Sequence, residues 1–110
     1  MTYAEIKTML DGVAPTAYYQ FPIPGKEPPF ICYYTGPSKD LKADNINYQK
    51  VDNVVVELYT RNKDFNLEIR LEEAFRENML TWDRSNPEFL DDEQMWVEVY
   101  DLNVIITEDN

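Results

Sequence analysis

The sequence predicts an α+β fold: an antiparallel sheet of mixed-length strands, about four to five in number, with two α-helices packed on one face. Three observations favour this class. Two segments carry apolar residues at helical spacing, and several others carry runs of β-branched and aromatic residues. Consecutive strands separate the two helical segments, as in an antiparallel sheet. The chain has 110 residues, so we expect a single domain over residues 1–110.

The composition indicates a protein with a packed core. With 44% hydrophobic and 14% aromatic residues, the chain is too apolar to be disordered, despite a formal net charge of −11. It contains no run of about 20 apolar residues, the length that a membrane-spanning helix needs. The start, Met1 to Glu5, lacks the basic and then apolar layout of a secretory signal. We therefore expect synthesis in the cytoplasm and no membrane contact.

The first predicted element is a helix over residues 2–11. Thr2 and Glu5 form a capping box, in which each side chain accepts a hydrogen bond from a backbone N–H group of the first turn. Apolar residues then recur at helical spacing as far as Val13. Gly12 is expected to end the helix in the left-handed conformation.

Two short strands are predicted next, over residues 17–21 and 30–35. A proline-rich loop, residues 22–29, separates them, because proline fits neither a helix interior nor a central strand. A Gly-Pro pair is expected to stop the second strand, and the polar residues 36–47 are interpreted as a long surface loop. Long loops in compact domains often bind partners.

The strongest strand signal covers residues 48–60. Its later part, residues 54–59, is apolar on both faces, which is typical of a strand buried on both sides or covered by a neighbouring subunit. A helix capped by Asp64 follows. Its apolar stripe is expected to lie across the sheet and consists of Leu67, Leu71, Ala74, Phe75 and Met79.

The last part of the chain is predicted to form a brief strand over residues 80–84, an acidic turn region over 85–93 and a long strand over 95–107. In the long strand, one alternating set of residues is apolar near the end and the other set is apolar near the beginning. We therefore expect the buried face to switch at a bulge or at a subunit contact.

The sequence lacks the common signatures of catalysis. It has no histidine, which is the usual proton-transfer group near neutral pH. Its three glycines are isolated from one another, which excludes a glycine-rich phosphate loop. The single cysteine, Cys32, lies in a predicted strand, where we expect it to be buried, and it allows neither an internal disulfide nor a zinc site. We predict that the protein is not an enzyme and has no metal or cofactor.

Carboxylates are the remaining catalytic option. The densest group is Asp91, Asp92 and Glu93, but adjacent acids in a turn usually face solvent. The acids of the second helix are interpreted as its solvent-exposed face, and they are Glu68, Glu72, Glu73 and Glu77.

The charge is distributed unevenly along the chain. Residues 85–110 hold 8 acidic side chains and no basic one, whereas residues 1–84 hold 13 acidic and 10 basic. Such a surface repels phosphates, so we expect no sequence-specific binding of nucleic acid. The loop after the second strand is locally basic, and in a head-to-tail ring it can meet the acidic region of the next copy. The possible subunit-interface residues are therefore Lys39, Lys42, Lys50, Asp91, Asp92 and Glu93.

Five segments, in order, span nearly the whole chain. They are Met1-Thr2-Tyr3-Ala4-Glu5-Ile6-Lys7, Pro29-Phe30-Ile31-Cys32-Tyr33-Tyr34, Ala43-Asp44-Asn45 before Tyr48, Val56-Glu57-Leu58-Tyr59-Thr60 leading to Lys63-Asp64, and Trp96-Val97-Glu98-Val99-Tyr100. Together they resemble the small tail-completion, or head–tail joining, proteins of long-tailed phages and prophages of Gram-positive bacteria. Each segment is a strand or helix-start pattern, so the specificity of the resemblance comes from their combination and spacing.

The resemblance implies a tail terminator-like subunit that is monomeric or weakly associated in solution and forms a ring, expected to be a hexamer, at the end of the tail tube. There it would end tube growth or join the tail to the head connector, with DNA passing through the ring. It implies a place in the host bacterial cytoplasm during assembly and then in the virion. The family has no catalytic residues to transfer.

Two hypotheses from other classes remain open at this point. The acidity of the C-terminal region suggests a DNA mimic that inhibits a host DNA-binding protein. The carboxylate groups suggest a small carboxylate-dependent enzyme, although the missing histidine and phosphate loop argue against it.

Overall fold

The computed structural model describes residues 1–19, 26–38, 41–43 and 46–107. The described elements, in chain order, are α1 (Tyr3–Asp11), β1 (Thr16–Tyr18), β2 (Phe30–Ser38), β3 (Leu41–Ala43), β4 (Ile46–Gln49), β5 (Val51–Thr60), α2 (Phe65–Glu77), β6 (Trp82–Arg84), β7 (Glu88–Leu90) and β8 (Met95–Ile105).

Six strands of the described part of the chain form the main sheet. Its order is β1-β2-β5-β8-β6, and β7 also pairs with β8. β1 runs parallel to β2, and the other pairs are antiparallel. The predicted α+β class is confirmed, with six strands in the main sheet. β1 overlaps the predicted strand over 17–21, of which residues 20 and 21 lie outside the described part, as do residues 22–25 of the predicted loop.

Both helices pack on one face of the main sheet. Ile6 and Leu10 of α1 and Leu71 and Phe75 of α2 are fully buried against it. The strands contribute alternate residues, because successive side chains of a strand point to opposite faces. The strand residues in this core are Ile31, Val54, Val56, Leu58, Tyr100, Leu102 and Val104. Burying this apolar surface is the main favourable contribution to folding.

A second, smaller cluster covers the opposite face where β5 ends and β8 begins. It consists of Phe30, Cys32, Tyr59, Met95 and Val97, and Leu90 of β7 packs against it. This end of the sheet is therefore buried on both faces. The expectation of a two-sided apolar strand over residues 54–59 is confirmed, since all of these residues except Glu57 are buried. The predicted burial of Cys32 is confirmed as well.

The start of α1 agrees with the prediction, but its end does not. Thr2 Oγ1 accepts the N–H of Glu5 at 3.1 Å, and Glu5 Oε1 accepts the N–H of Thr2 at 2.8 Å. The expected left-handed end at Gly12 is wrong, because Gly12 has a φ of −67°. Its N–H donates to the carbonyl of Thr8 at 3.2 Å, so the last turn continues in the right-handed sense.

The predicted loop over residues 36–47 is wrong wherever the structure describes it. β2 continues through Gly36 and Pro37 to Ser38, and β3 and β4 pair with each other as a separate two-stranded sheet. The β2–β5 register shifts between Thr35 and Ser38, and this irregularity accommodates a proline that cannot donate to the ladder. The predicted strand over 48–60 is accordingly divided into β4 and β5.

β3 and β4, which we call the arm, lie beyond the last β2–β5 pair, Ser38 with Asp52. The arm thus follows β2 and precedes β5 in the chain, past the end of their pairing. The strand residues from Ile46 to Thr60 span about 50 Å at roughly 3.3 Å per residue, and the longest dimension of the molecule is 50 Å. The radius of gyration is 14.9 Å, against about 13 Å for a compact chain of this length. The molecule is therefore elongated.

α2 confirms the predicted helix and its cap. Asp64 Oδ1 accepts the N–H of Leu67 at 3.0 Å. The stripe ends differently from the prediction, because Met79 is 93% exposed and has a φ of 59°. The helix stops at Glu77, and the left-handed residue turns the chain so that the N–H of Leu80 donates to a carbonyl of the last turn at 2.9 Å. Leu80, instead of Met79, is buried.

β8 pairs with β5 without a register shift, from Val51 opposite Ile105 to Thr60 opposite Trp96. The expected switch at a bulge is therefore wrong for this pair. One face of β8 is covered by the helices over most of its length. The other face is covered by the second cluster at Met95 and then becomes exposed, at Asp101, Asn103 and Ile105. The apolar pattern of β8 therefore changes because the strand is covered on both faces at its beginning and on one face further along.

Neither α1 nor α2, the helices in the described ranges, is long and apolar enough to cross a membrane.

Candidate functional site

Two of the three predicted interface lysines lie in described residues of the arm or next to it. Lys39 lies outside the described residues, and Lys42 lies in β3. Lys50 is exposed between β4 and β5, and its Nζ lies 5.1 Å from the centre of the Tyr3 ring. A cation–π contact of this kind contributes about 0.5–1 kcal/mol at an exposed site. Lys50 therefore marks the point where the arm leaves the main sheet.

The three predicted acidic interface residues form an exposed turn between β7 and β8. Asp91, Asp92 and Glu93 are all exposed, as expected. Gln94 Nε2 donates to the carbonyl of Asp91 at 2.6 Å. The guanidinium group of Arg61 donates to the carbonyls of Glu93 and Gln94, at 3.2 Å each. These bonds hold the backbone of the turn and present its carboxylates to solvent.

The arm and the acidic turn lie at opposite ends of the β5–β8 pair. Val51, next to Lys50, pairs with Ile105, whereas Thr60 pairs with Trp96, close to the turn. About ten paired positions at roughly 3.4 Å each separate the two ends by about 30 Å. The two segments therefore cannot contact each other within one subunit, and they form two different surfaces, of which the turn carries exposed carboxylates.

A buried group of charges lies under α2, at the same end of the sheet as the acidic turn. This carboxylate cluster consists of Glu68 and Glu72 on α2, Glu98 on β8, Lys63 before α2 and Arg84 on β6. The Lys63 ammonium donates to Glu68 and lies 3.5 Å from Glu98 Oε2. Arg84 Nε lies 3.2 Å from Glu98 Oε1, and Arg84 Nη1 lies 3.5 Å from Glu72 Oε2.

The carboxylate cluster is mostly shielded from water. The side chains of Glu68 and Glu98 are 6% and 5% exposed, whereas Arg84 is half-exposed and forms the rim. The Tyr100 hydroxyl donates to Glu72 Oε2 at 3.0 Å. Glu98 Oε1 is buried and has no hydrogen-bond partner among the described residues. Three carboxylates face two cations, so the fully ionised cluster carries one excess negative charge.

Burial and neighbouring charges shift the ionisation of this cluster. Burial raises the pKa of Glu98; Lys63 and Arg84 lower it, and the charge of Glu68 raises it further. Burial also raises the pKa of Tyr100, and the negative charge of Glu72 adds to the shift. Burial lowers the pKa of the Arg84 guanidinium, but the charges of Glu98 and Glu72 outweigh this, so the pKa is raised.

The geometry of the cluster does not favour catalysis. Within the described ranges, no three potential metal ligands are grouped so that they could hold a metal ion. Lys63 and Arg84 already neutralise most of the carboxylate charge. A general acid or base must reach its substrate, yet Glu98 is buried beneath Arg84.

The sequence interpretation missed this cluster. An exposed helix face is confirmed for Glu73 and Glu77 but is wrong for Glu68, which is buried, and for Glu72, which is half-buried. A signal for it exists in the sequence, because Glu68 and Glu72 each follow a residue of the apolar stripe and so flank the buried side of the helix. Glu98, likewise, alternates in phase with the apolar residues of the helix-covered face.

An apolar cavity of ≈ 300 Å³ lies between α1 and the sheet. It is lined by Tyr3, Ile6, Tyr18, Tyr33, Thr35 and Val54. The Tyr3 hydroxyl donates to Asp52 Oδ2 at 2.5 Å, and the hydroxyl groups of Tyr18 and Thr35 lie 3.1 Å apart. The hydroxyl groups of Tyr3, Tyr18 and Thr35 are therefore engaged with the protein itself.

The chain matches no protein-family model and no curated protein.

Proposed function

We propose that this chain is a virion structural protein of a long-tailed phage or prophage, which completes the tail or joins the tail to the head connector. It assembles in the host bacterial cytoplasm into a homo-oligomeric ring, a hexamer by the resemblance, and remains at the head–tail junction of the virion. The observation that carries this proposal is the placement of the lysine-bearing arm and the acidic turn at opposite ends of one subunit.

This placement suits a ring because a head-to-tail contact joins two different surfaces of neighbouring copies. An arm that extends beyond the main sheet of its own subunit is placed to contact a neighbouring copy. The acidic turn has a backbone held by Arg61 and Gln94, so it offers a preformed surface to such an arm. Opposite charges on the arm and the turn favour the head-to-tail contact and disfavour contacts between two arms or between two turns.

The acidity also fits a ring through which DNA passes. The formal net charge of −11 gives the subunit a surface that repels phosphates. A lumen lined with carboxylates lets DNA slide without binding. The ring thus needs protein partners, namely the tail tube and the head connector.

Deletion of the gene from a phage that carries it tests the role. We expect filled heads and separate tails, or tails of abnormal length, in electron micrographs of the lysate. Complementation with the wild-type gene serves as the control. Normal infectious particles from the deletion phage contradict the proposal.

Charge reversal tests the ring contact. Variant A carries Lys39→Glu, Lys42→Glu and Lys50→Glu, and variant B carries Asp91→Lys, Asp92→Lys and Glu93→Lys. We expect wild-type protein at high concentration to form rings in native mass spectrometry and electron microscopy, and neither variant alone to do so. An equimolar mixture of A and B should form rings again, because each arm then meets a turn of opposite charge.

Two matched controls accompany these variants. Lys26→Glu changes an exposed lysine outside the arm, and Glu73→Lys with Glu77→Lys changes exposed acids of α2. Both should assemble like the wild type. Rings formed by variant A alone, or no recovery in the mixture, contradict the proposed contact.

A second candidate is an acidic DNA mimic that inhibits a host DNA-binding protein. It is favoured by the exposure of the described C-terminal acids other than Glu98, which are Glu88, Asp91, Asp92, Glu93 and Asp101. A mimic competes with DNA for a purified basic partner, and the competition weakens steeply with salt. Absence of competition at low salt rejects this candidate.

A further inference from the structure

The charges of the carboxylate cluster do not balance. Glu98 lies among charged or titratable groups from several segments, namely Lys63 before α2, Glu68 and Glu72 on α2, Arg84 on β6 and Tyr100 on β8, whereas its partner on β5 is the apolar Leu58. Two cations stand against three carboxylates. The imbalance lies in a place from which water is largely excluded, since Glu98 is 4% exposed.

One atom shows where the imbalance is concentrated. Glu98 Oε1 is buried and accepts no hydrogen bond from the described residues, although Arg84 Nε lies 3.2 Å away as an ion pair. A buried carboxylate oxygen that has lost its water and gained no donor is unfavourable. One proton on Glu98 removes this charge and leaves two carboxylates with two cations.

We propose that the carboxylate cluster is a proton-linked switch, in which the closed packing of α2 and β6 against β8 is coupled to uptake of one proton by Glu98. The proton comes from solvent and forms an O–H bond on the carboxyl group, and no other bond changes. The switch involves the residues of the carboxylate cluster, all of which lie in the described part of the chain.

The direction of the coupling follows from linkage. Glu98 has its ordinary pKa, near 4.5, when the cluster is open to water, and a raised pKa in the closed state, mainly because of burial. The closed state therefore binds the proton more tightly than the open state. Closure becomes more favourable as pH falls through the raised pKa, and the gain ends below about pH 4.5.

The elements that respond are those that shield Glu98. Opening means that α2 lifts from β8 or that β6 leaves the outer side of β8, because either movement admits water to Glu98. Such local opening is measured by amide hydrogen exchange. The amides of β6 and of the facing part of β8 are therefore the local reporters of the switch.

The test uses the full chain and two measurements. A ¹³C NMR titration of the side-chain carboxyl groups should show Glu98 titrating above the other glutamates. Hydrogen exchange, corrected for the pH dependence of intrinsic exchange, should show protection of the β6 and β8 amides rising as the pH falls from 7 to 5, by no more than about tenfold per pH unit, the limit for one proton.

Glu98→Gln is the variant that isolates the switch, because glutamine has nearly the same shape and cannot ionise. We expect its protection to be nearly independent of pH over this range. Glu93→Gln, at an exposed acid of the same end of the sheet, should keep the wild-type pH dependence.

Two results overturn the proposal. One is a Glu98 carboxyl group that titrates at its ordinary value in the wild-type protein, a measurement that does not depend on the folding of any variant. The other is the same pH dependence of protection in Glu98→Gln as in the wild type.

Discussion

The two ends of the β5–β8 pair differ in how they are buried. At the end that leads into α2, both faces of the sheet are covered and the charged residues Glu68 and Glu98 are buried and paired. At the end that leads into the arm, the described residues of β5 and β8 are buried mainly on the helix-covered face, and in the described part of the chain β3 and β4 pair only with each other. An isolated two-stranded hairpin is marginally stable in water. The difference teaches that the buried contacts of the described residues are concentrated at the end of the pair that leads into α2.

The largest effect is expected from Phe75→Ala, which breaks the well-packed end. Phe75 is 0% exposed, and its ring contacts the rings of Trp82 and Tyr100, with centroids 5.6 and 5.5 Å away. Truncation leaves a cavity, and we expect a loss of about 3–5 kcal/mol in the free energy of unfolding. Urea denaturation monitored by tryptophan fluorescence measures it.

The matched control is Ile69→Ala on the same helix. Ile69 is 53% exposed, so its truncation should cost about 0.5 kcal/mol or less. Similar losses for the two variants would mean that α2 is not anchored through Phe75.

The next effect concerns the buried charges of the same end. Lys63→Met removes the cation that contacts both Glu68 and Glu98. We expect a loss of about 2–3 kcal/mol at neutral pH, below the range for fully buried pairs because Lys63 is partly exposed. Adding Glu98→Gln should recover much of the loss, since two carboxylates then remain with the single cation Arg84.

A double-mutant cycle over these two positions measures this coupling. Lys26→Met removes an exposed lysine and should leave the stability unchanged within about 0.5 kcal/mol. Simple additivity of Lys63→Met and Glu98→Gln contradicts a direct interaction between Lys63 and Glu98.

The helix caps allow a smaller and sharper comparison, because they lie at opposite ends. Asp64 caps α2 at the well-packed end, and Thr2 caps α1 at the arm end, next to the contact between Met1 and Thr107. Asp64→Ala and Thr2→Ala each remove a side-chain acceptor worth about 1 kcal/mol. If the two ends unfold together, both variants lower the global stability by this amount.

Amide hydrogen exchange shows whether the two ends of the β5–β8 pair unfold together. If the arm end opens separately, Thr2→Ala lowers the protection of α1 amides without changing the urea midpoint. Asp64→Ala should lower the midpoint in either case.

The smallest effect is expected at the base of the arm. Lys50→Met removes the ammonium group that lies over the Tyr3 ring, and we expect a loss of about 1 kcal/mol or less. Thermal denaturation of the dilute protein measures it. A loss of several kcal/mol would show that the arm base is part of the core, and the contrast between the two ends would fail.

The sequence was a good guide to elements whose signals are local. The capping box at Thr2 and the cap at Asp64 both form, because each involves residues within one turn of each other. The β-branched runs of β5 and β8 also form strands. Of the possible interface residues, Lys50, Asp91, Asp92 and Glu93 are exposed, and their role in assembly stays a prediction.

Other features depend on contacts that no local pattern reports. The sequence by itself determined the helices, most of the strands and the α+β class, because their hydrogen bonds and apolar faces follow from short-range spacing. Only the tertiary structure decided that Leu80 is buried in place of Met79, that β3 and β4 form an arm, and that Glu68 faces inward. The last depends on Lys63, which precedes α2, and on Arg84, which reaches the carboxylates through the pairing of β6 with β8. Burial of a charge is favourable only when such partners are in place.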